Sequence, residues 1–317
     1  MSGDWLTSTR VAVVAGKGGV GSSTVAAALA LAAARQGADV LFVAVDGRPG
    51  MGPLLGGQNL DDTDRILQRI KGAGQVRGRT IPPAQAFGDY LDLKGVGGLL
   101  RRAASATSLP MIAAATPGLE HLLVLGKIKE LERARAADLI VVDAPPAGHA
   151  APFLRSATGL SDVVQSGPIR DQAQEVGEMM HDPARCQAVL VTLPEVTPVT
   201  ELLELASELG GDLGIGLLPT IVNACWPQRG GLMKSTAVAA KAQQTKLSAH
   251  DKRILEASTA FGRARLERQR EQIERMREVL DTPILRLPRL PTPAFGRAEL
   301  ATLANALVDP SSEVGVS

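Results

Sequence analysis

A short stretch near the start of the chain combines glycines, a lysine and hydroxyl side chains at a spacing suited to binding phosphate. Residues 16–24 read Gly-Lys-Gly-Gly-Val-Gly-Ser-Ser-Thr. Glycines let backbone N–H groups turn inward and form a concave anion site. The apolar run 11–15 before this stretch predicts a buried strand, and the Ala/Leu-rich run 24–34 after it predicts a helix. We therefore expect a phosphate-binding loop between a strand and a helix N-terminus.

The loop follows the template of Gly, four residues, Gly, Lys and Ser or Thr, with one departure. Gly16, Gly21 and Ser23 fit, but Ser22 occupies the position of the lysine. A serine neither reaches the β- and γ-phosphates nor carries charge, so binding is expected to weaken by roughly 1.5–3 kcal/mol. A second lysine, Lys17, follows the first glycine. The predicted nucleotide-binding residues of the loop are Gly16, Lys17, Gly18, Gly19, Val20, Gly21, Ser22, Ser23 and Thr24.

The run Gly-Lys-Gly-Gly-Val-Gly over residues 16–21 resembles the deviant Walker A loop of one ATPase family. That family includes the ArsA-like arsenite-pump ATPases, the tail-anchored-protein targeting ATPase, and relatives of MinD and the nitrogenase iron protein. The segment 117–130 is similar to the actinobacterial, anion-transporting branch of that ATPase family. The resemblance implies ATP or ADP with Mg²⁺ as cofactors and a dimer that closes around nucleotide. In such a dimer Lys17 would reach the partner's nucleotide and act in catalysis.

Two further strands end in an acidic residue, at Asp46 and Asp143. Acids at the carboxyl edge of a parallel sheet point into the ligand crevice. By the resemblance Asp46 orients the attacking water, although Asp-Gly-Arg-Pro stands where the family has a different pattern; a turn or capping role is the alternative. Asp143 resembles the Walker B acid, which holds the Mg²⁺ hydration shell while Ser23 ligates the metal directly.

Two later positions match the family in part. Residues 144–149 are similar to its Switch II, where Gly148 would present a backbone N–H to the γ-phosphate. His149 also matches, although a structural or surface histidine is the usual interpretation. Residues 215–223 contain a predicted strand that ends in Asn223; the resemblance implies that this asparagine reads adenine, whose edge suits the donor and acceptor of an amide. A simple turn residue is the alternative for Asn223.

Alternating apolar strands and helices predict an α/β, doubly wound, mainly parallel sheet of the P-loop NTPase fold with a helical insertion. We expect the nucleotide-binding core in two parts, 1–151 and 187–307, with the helical insertion 152–186 between them and a flexible tail over 308–317. The insertion carries only Met179 and Met180, which favours core or dimer packing over a Met-rich groove for apolar cargo.

The net charge, the cysteine spacing and the length of the apolar runs limit which classes of partner and location we expect for this chain. The net charge of +1 gives no indication of nucleic acid or an anionic membrane surface as a partner. Cys186 and Cys225 form no Cys-x-x-Cys pair, so we expect buried, reduced thiols and no zinc clamp. The absence of a secretory leader and of an apolar run near 18–20 residues predicts a cytoplasmic protein without an integral membrane segment.

Two functional hypotheses remain open at this point. In the first, the chain is a Mg²⁺-ATPase in which Lys17 and the loop amides compensate for Ser22. In the second, it is a pseudo-ATPase that pairs with an active paralogue and donates Lys17 to it. The partner is a second copy or a paralogous subunit, and the sequence does not name a cargo.

Overall fold

The computed structural model describes residues 3–45, 47, 49–93, 118–145, 150–228, 231–232 and 234–309. The strands are β1 Val11–Gly16, β2 Asp39–Ala44, β3 Arg65–Arg69, β4 Gln75–Thr80, β5 Leu139–Asp143, β6 Cys186–Thr192, β7 Gly216–Leu217, β8 Thr220–Cys225 and β9 Ile284–Pro288. The helices are α1 Ser22–Arg35, α2 Met51–Leu54, α3 Pro83–Leu93, α4 Leu119–Arg133, α5 Ala150–Val163, α6 Pro168–His181, α7 Val196–Ser207, α8 Thr236–Ala242, α9 Ala249–Val279 and α10 Arg297–Val308. A 3₁₀ turn spans Gly3–Thr7, and a π-helical turn, Glu208–Asp212, extends α7.

The strands form one sheet in the order β3-β4-β2-β5-β1-β6-β8-β9, with β7 paired to β6. β3 runs antiparallel to β4, and the other strand pairs of the described residues are parallel. The prediction of a mainly parallel α/β sheet is therefore confirmed. Parallel strands have their carboxyl ends at one edge, so the loops after β1, β2, β5, β6 and β8 share that edge.

Helices cover both faces of this sheet. Along β1, Val11, Val13 and Ala15 pack into one apolar layer with α4, α5, α6 and α7. Ala12 and Val14 point the other way and pack into a second layer with α1 and α10. This alternation follows from the two-residue period of a strand, and it explains why the strands are apolar on both sides. Met179 and Met180 of α6 are buried in the first layer.

Local differences from the sequence predictions have physical reasons. Helix α1 begins at Ser22 instead of Thr24, since Gly21 adopts a left-handed conformation that ends the loop there. The segment 215–223, predicted to contain one strand ending at Asn223, holds β7 and the start of β8 on either side of Pro219, whose missing N–H cannot join a ladder, and β8 continues to Cys225. Of the predicted flexible tail, 310–317 lie outside the described residues. The domain boundaries and the tail stay predictions.

The buried carboxylate of Glu132 connects α4 to the amino ends of the central strands β1 and β6. The side chain of Glu132 accepts hydrogen bonds from Arg10 Nε at 2.6 Å and from Arg185 Nη2 at 2.7 Å. Arg10 directly precedes β1 and Arg185 directly precedes β6. Burial raises the pKa of Glu132, but the hydrogen bonds from Arg185 and Arg10 outweigh this effect and leave it below the ordinary value of 4.5. The ionised carboxylate therefore stabilises the fold.

We expect Glu132→Gln to lower the free energy of unfolding by about 2 kcal/mol at neutral pH, because both arginines lose a charged acceptor. The folded pKa is depressed, so the contribution is complete above the unfolded value and is lost as the pH falls through the folded value. The difference between wild type and variant, measured by urea unfolding, should shrink below about pH 4.5. In the matched control Glu274→Gln, which removes an exposed partner of Arg277, the change should stay below about 0.5 kcal/mol. Equal losses in the two variants would contradict the proposed role of Glu132.

Candidate nucleotide-binding site

The glycine-rich loop lies between β1 and α1, as the sequence predicted. Gly19 and Gly21 have φ angles of +88° and +86°, which lie in a left-handed region that residues with a Cβ rarely adopt. A Cβ added to Gly16 would lie 2.6 Å from the Val191 carbonyl oxygen of β6. These glycines are therefore required for the path of the loop and for its close approach to the neighbouring strand.

The two sides of the loop differ in packing. A Cβ added to Gly18 or Gly19 would have no atom within 4 Å, so the backbone there faces open space. Other residues of the loop, Val20, Ser22 and Ser23, are buried. A Cβ on Gly21 would meet Asn223 Nδ2 at 2.5 Å. The loop thus rests on the sheet edge and leaves its glycine backbone accessible, which is the arrangement that phosphate binding requires.

Asn223 of β8 contacts the loop directly. Its Nδ2 donates to the Val20 carbonyl at 2.9 Å, and its Oδ1 accepts from the Ala224 N–H at 2.8 Å. Ala224 itself has a φ of +52°, an uncommon conformation for a residue with a Cβ. The amide therefore joins the phosphate-binding loop to the end of β8. Its predicted contact with adenine stays a prediction.

Asp143 ends β5, the strand next to β1. In the register of the sheet it lies beside Val14 of β1 and Ala44 of β2, and it is buried. Ser23 is buried at the start of α1, the helix that follows β1. A carboxylate and a hydroxyl are the hard oxygen donors that suit Mg²⁺, so the chemistry of these side chains fits that ion.

Lys17 has a partner that the sequence did not indicate. Its Nζ lies 3.1 Å from Oε1 of Glu201 on α7, and the two side chains are 48% and 27% exposed. The ammonium group is therefore directed at α7 of the same chain and remains accessible to solvent. Glu201 is far from Lys17 in sequence, and no local pattern singles out this pair.

A small cavity of about 70 Å³ lies at the same edge of the sheet. Its walls include Glu195, Ala224, Trp226, Arg265 and Arg289. The guanidinium carbons of Arg289 and Arg265 lie 4.4 Å and 5.3 Å from the centre of the Trp226 ring. Trp226 closely follows Asn223 and is one of two tryptophans in the chain, and this rarity is the sequence signal that could have indicated its role here.

Two predicted site residues cannot be placed. Asp46 and Gly148 lie outside the described residues, as does His149. The structure therefore brings together the loop residues 16–24, Asn223 and the end of β5 with Asp143. The roles assigned to Asp46 and Gly148 stay predictions.

Both cysteines are buried and unpaired with each other. Burial raises the pKa of Cys186 and of Cys225 to about 12, so both thiols are protonated near neutral pH. Within the described ranges, no helix combines the length and apolar character that crossing a bilayer requires.

A strand, a glycine-rich loop and a helix at the carboxyl edge of a mainly parallel sheet define a P-loop nucleotide-binding protein. The chain belongs to the CobQ/CobB/MinD/ParA nucleotide binding domain family, which matches residues 11–293. That match covers β1, the loop and every other described strand, so the site lies inside the domain that defines the family.

Several relatives carry ATPase names. The chain is 38% identical over 213 residues to ATPase BagA of Mycobacterium tuberculosis, across 64% of this chain and 62% of that protein. It is 29% identical over 213 residues to the arsenical pump-driving ATPase of Acidiphilium multivorum, across 61% of this chain and 31% of that protein. A putative arsenical pump-driving ATPase of Halobacterium salinarum is 24% identical over 303 residues, which is 88% of this chain and 41% of its own length. The chain thus spans less than two thirds of each of these relatives.

Proposed function

We propose that this chain is an ArsA-like ATPase subunit that binds Mg²⁺-ATP on the loop 16–24 and works in a dimer. The observation that carries the proposal is the loop itself, in which Gly18 and Gly19 are accessible and Ser22 and Ser23 are buried. The ATPase names of relatives that align with this chain give further support. ATP or ADP with Mg²⁺ are the proposed cofactors, and the cytoplasm, where ATP is available, is the proposed location.

The proposed roles follow the donor chemistry of the site. Backbone amides of the loop hold the phosphates, and Ser23 and Asp143 hold the metal ion, which would neutralise charge on the β- and γ-phosphates. Asn223 keeps the loop in place from below and offers the edge of its amide to the base. Asp46 orients the attacking water, and Gly148 contributes an N–H near the γ-phosphate.

Lys17 and Ser22 determine how active the chain is alone. In the proposal, Ser22 weakens nucleotide binding and hydrolysis, because the charge expected at that position is missing. Lys17 serves the facing subunit, whose nucleotide it reaches when the dimer closes. The exposure of Lys17 supports this, since its side chain is 48% exposed and therefore accessible to a second subunit.

The second candidate is a pseudo-ATPase that pairs with an active paralogue and supplies Lys17 in trans. The observation that favours it is Ser22, a neutral buried residue at the start of α1. Under either proposal the dimer partner is a second copy or a paralogous subunit. Some relatives are named arsenical pump-driving ATPases, but this chain covers only part of their length, so the comparison does not identify a cargo for this chain.

Gly21→Ala tests whether the loop binds nucleotide. A Cβ at φ +86° and 2.5 Å from Asn223 Nδ2 would displace the loop, so we expect Mg²⁺-ATP affinity, measured by calorimetry, to fall at least about tenfold. The matched control is Gly37→Ala, at φ +108° with no atom within 4 Å of the added Cβ, at the opposite end of α1. In that control we expect the free energy of unfolding to fall by about 1 kcal/mol and the affinity for Mg²⁺-ATP to stay unchanged. No binding of ATP or ADP by the wild-type chain, alone or paired, would refute the proposed function.

A further inference from the structure

The end of β8 has an uncommon backbone conformation beside the phosphate-binding loop. Ala224 has a φ of +52°, and the pairing of β8 with β9 shifts register between Val222 and Cys225. An irregularity of this kind changes the direction of side chains at the end of a strand. The residue before Ala224 is Asn223, whose amide donates to the Val20 carbonyl of the loop. A left-handed φ at a residue with a Cβ persists only where surrounding contacts maintain it, so those contacts also orient Asn223.

Two amide side chains maintain the turn at Ala224. On one side, Oδ1 of Asn223 accepts from the Ala224 N–H at 2.8 Å. On the other side, Oε1 of Gln269 on α9 accepts from the Trp226 N–H at 2.8 Å, and its Nε2 donates to the Trp226 carbonyl at 3.3 Å. One side-chain amide thus pairs with both backbone groups of Trp226, as a neighbouring strand would. Gln269 lies 43 positions away in the sequence, so only the tertiary structure makes this contact.

The other contacts of Trp226 act on its ring. The guanidinium carbons of Arg289 and Arg265 lie near the indole, and the N–H of Arg289 donates to the Cys225 carbonyl at 2.8 Å. These contacts fix the indole and the pairing of β8 with β9. The peptide groups of Trp226, which set the direction of the chain after Ala224, are held by Gln269. Gln269 therefore has a separate effect from the arginines.

The place of Gln269 on α9 suits this role. The buried residues of that helix are Gln272, Ile273 and Met276, and Gln269 lies about one turn before them. The packed turns fix the position of the helix, and the side chain of Gln269 extends from this fixed part to Trp226. A side chain on a rigid, packed element positions its partner more accurately than one on a loop.

We propose that Gln269 is a positioning residue for the nucleotide-binding loop. It fixes the backbone of Trp226, which maintains the turn at Ala224 and keeps Asn223 against Val20. The loop tolerates little movement of that amide, since a Cβ on Gly21 would already lie 2.5 Å from Asn223 Nδ2. The inference rests on the proposed function of the loop, and Gln269 acts through Asn223 without touching the nucleotide.

Calorimetry with Mg²⁺-ATP and amide hydrogen exchange of the nucleotide-free full chain test this role. Gln269→Leu removes both hydrogen bonds at similar side-chain size, so we expect affinity to fall about fivefold and exchange of the loop amides to accelerate about fivefold. Gln269→Glu keeps an acceptor for the Trp226 N–H and should show about half the loss on a logarithmic scale. The matched control Gln174→Leu, at an exposed glutamine of α6, should change neither quantity.

A double-mutant cycle tests whether Gln269 acts through Asn223. Asn223→Ala alone should lower affinity more than Gln269→Leu, because it removes the contact with the loop itself. Adding Gln269→Leu to Asn223→Ala should then cause no further loss of affinity, since the two residues act in series. Losses that multiply in the double variant would show that Gln269 acts by another route and would overturn the proposal.

The exchange measurement separates this inference from the proposed function. If the wild-type chain binds no nucleotide, the proposed function fails, and loop exchange in the Gln269 variants still decides the positioning role. Loop exchange equal to that of the wild type in both Gln269→Leu and Gln269→Glu would overturn the inference, even if α9 itself became less stable. If Gln269→Leu does not fold, Gln269→Glu alone supplies the result.

Discussion

Lys17→Ala is expected to reduce ATP turnover of the dimeric complex by on the order of a thousandfold, the effect of removing a cation supplied in trans to a phosphoryl-transfer site. In the single chain the ammonium of Lys17 lies 3.1 Å from Glu201 of α7, so its loss should leave nucleotide affinity of the isolated chain almost unchanged. The measurement is steady-state turnover of the complex beside calorimetry on the isolated chain.

Two controls separate the trans role from a local one. Lys71→Ala removes an exposed lysine outside the site and should not change turnover. Glu201→Gln keeps Lys17 and releases it from its ion pair, so activity of the complex should be preserved or increased. If turnover of the complex is unaffected by Lys17→Ala, the proposed role of this lysine is wrong.

Ser22→Lys is expected to tighten Mg²⁺-ATP binding between about tenfold and a few hundredfold, because it restores a charge-assisted contact worth roughly 1.5–3 kcal/mol. Turnover of the isolated chain should rise as well, since the same charge stabilises the transferring phosphoryl group. Calorimetry and single-chain turnover measure the two effects. The change is made at the first residue of α1, the position that the lysine occupies in the phosphate-loop template.

Ser22→Met is the matched control, because methionine is unbranched and long but carries no charge. It should bind nucleotide no better than the wild-type chain. Strong turnover by the wild-type chain alone, not increased by Ser22→Lys, would contradict both the weakening attributed to Ser22 and the pseudo-ATPase alternative.

Much of the fold was accessible from the sequence because its signals are local. The apolar run 11–15, the glycines of 16–21 and the helix formers after them predicted β1, the loop and α1. Acidic residues at strand ends predicted that Asp143 lies at the carboxyl edge, and the register beside Val14 confirms it. Element boundaries were less accurate, as at Pro219, where one missing N–H divides a strand that its apolar pattern predicts to be continuous.

By itself, the sequence determined the phosphate-binding loop, the strand and helix that hold it, and the substitution at Ser22, because each depends on neighbouring residues and backbone propensity. Only the tertiary structure decided that Asn223 holds the loop through Val20, that Lys17 pairs with Glu201, and that Arg265 and Arg289 lie against Trp226. These contacts join residues far apart in the chain, and they exist because the order of strands brings β1, β6 and β8 together at one edge. The period of a helix or strand carries no information about that order.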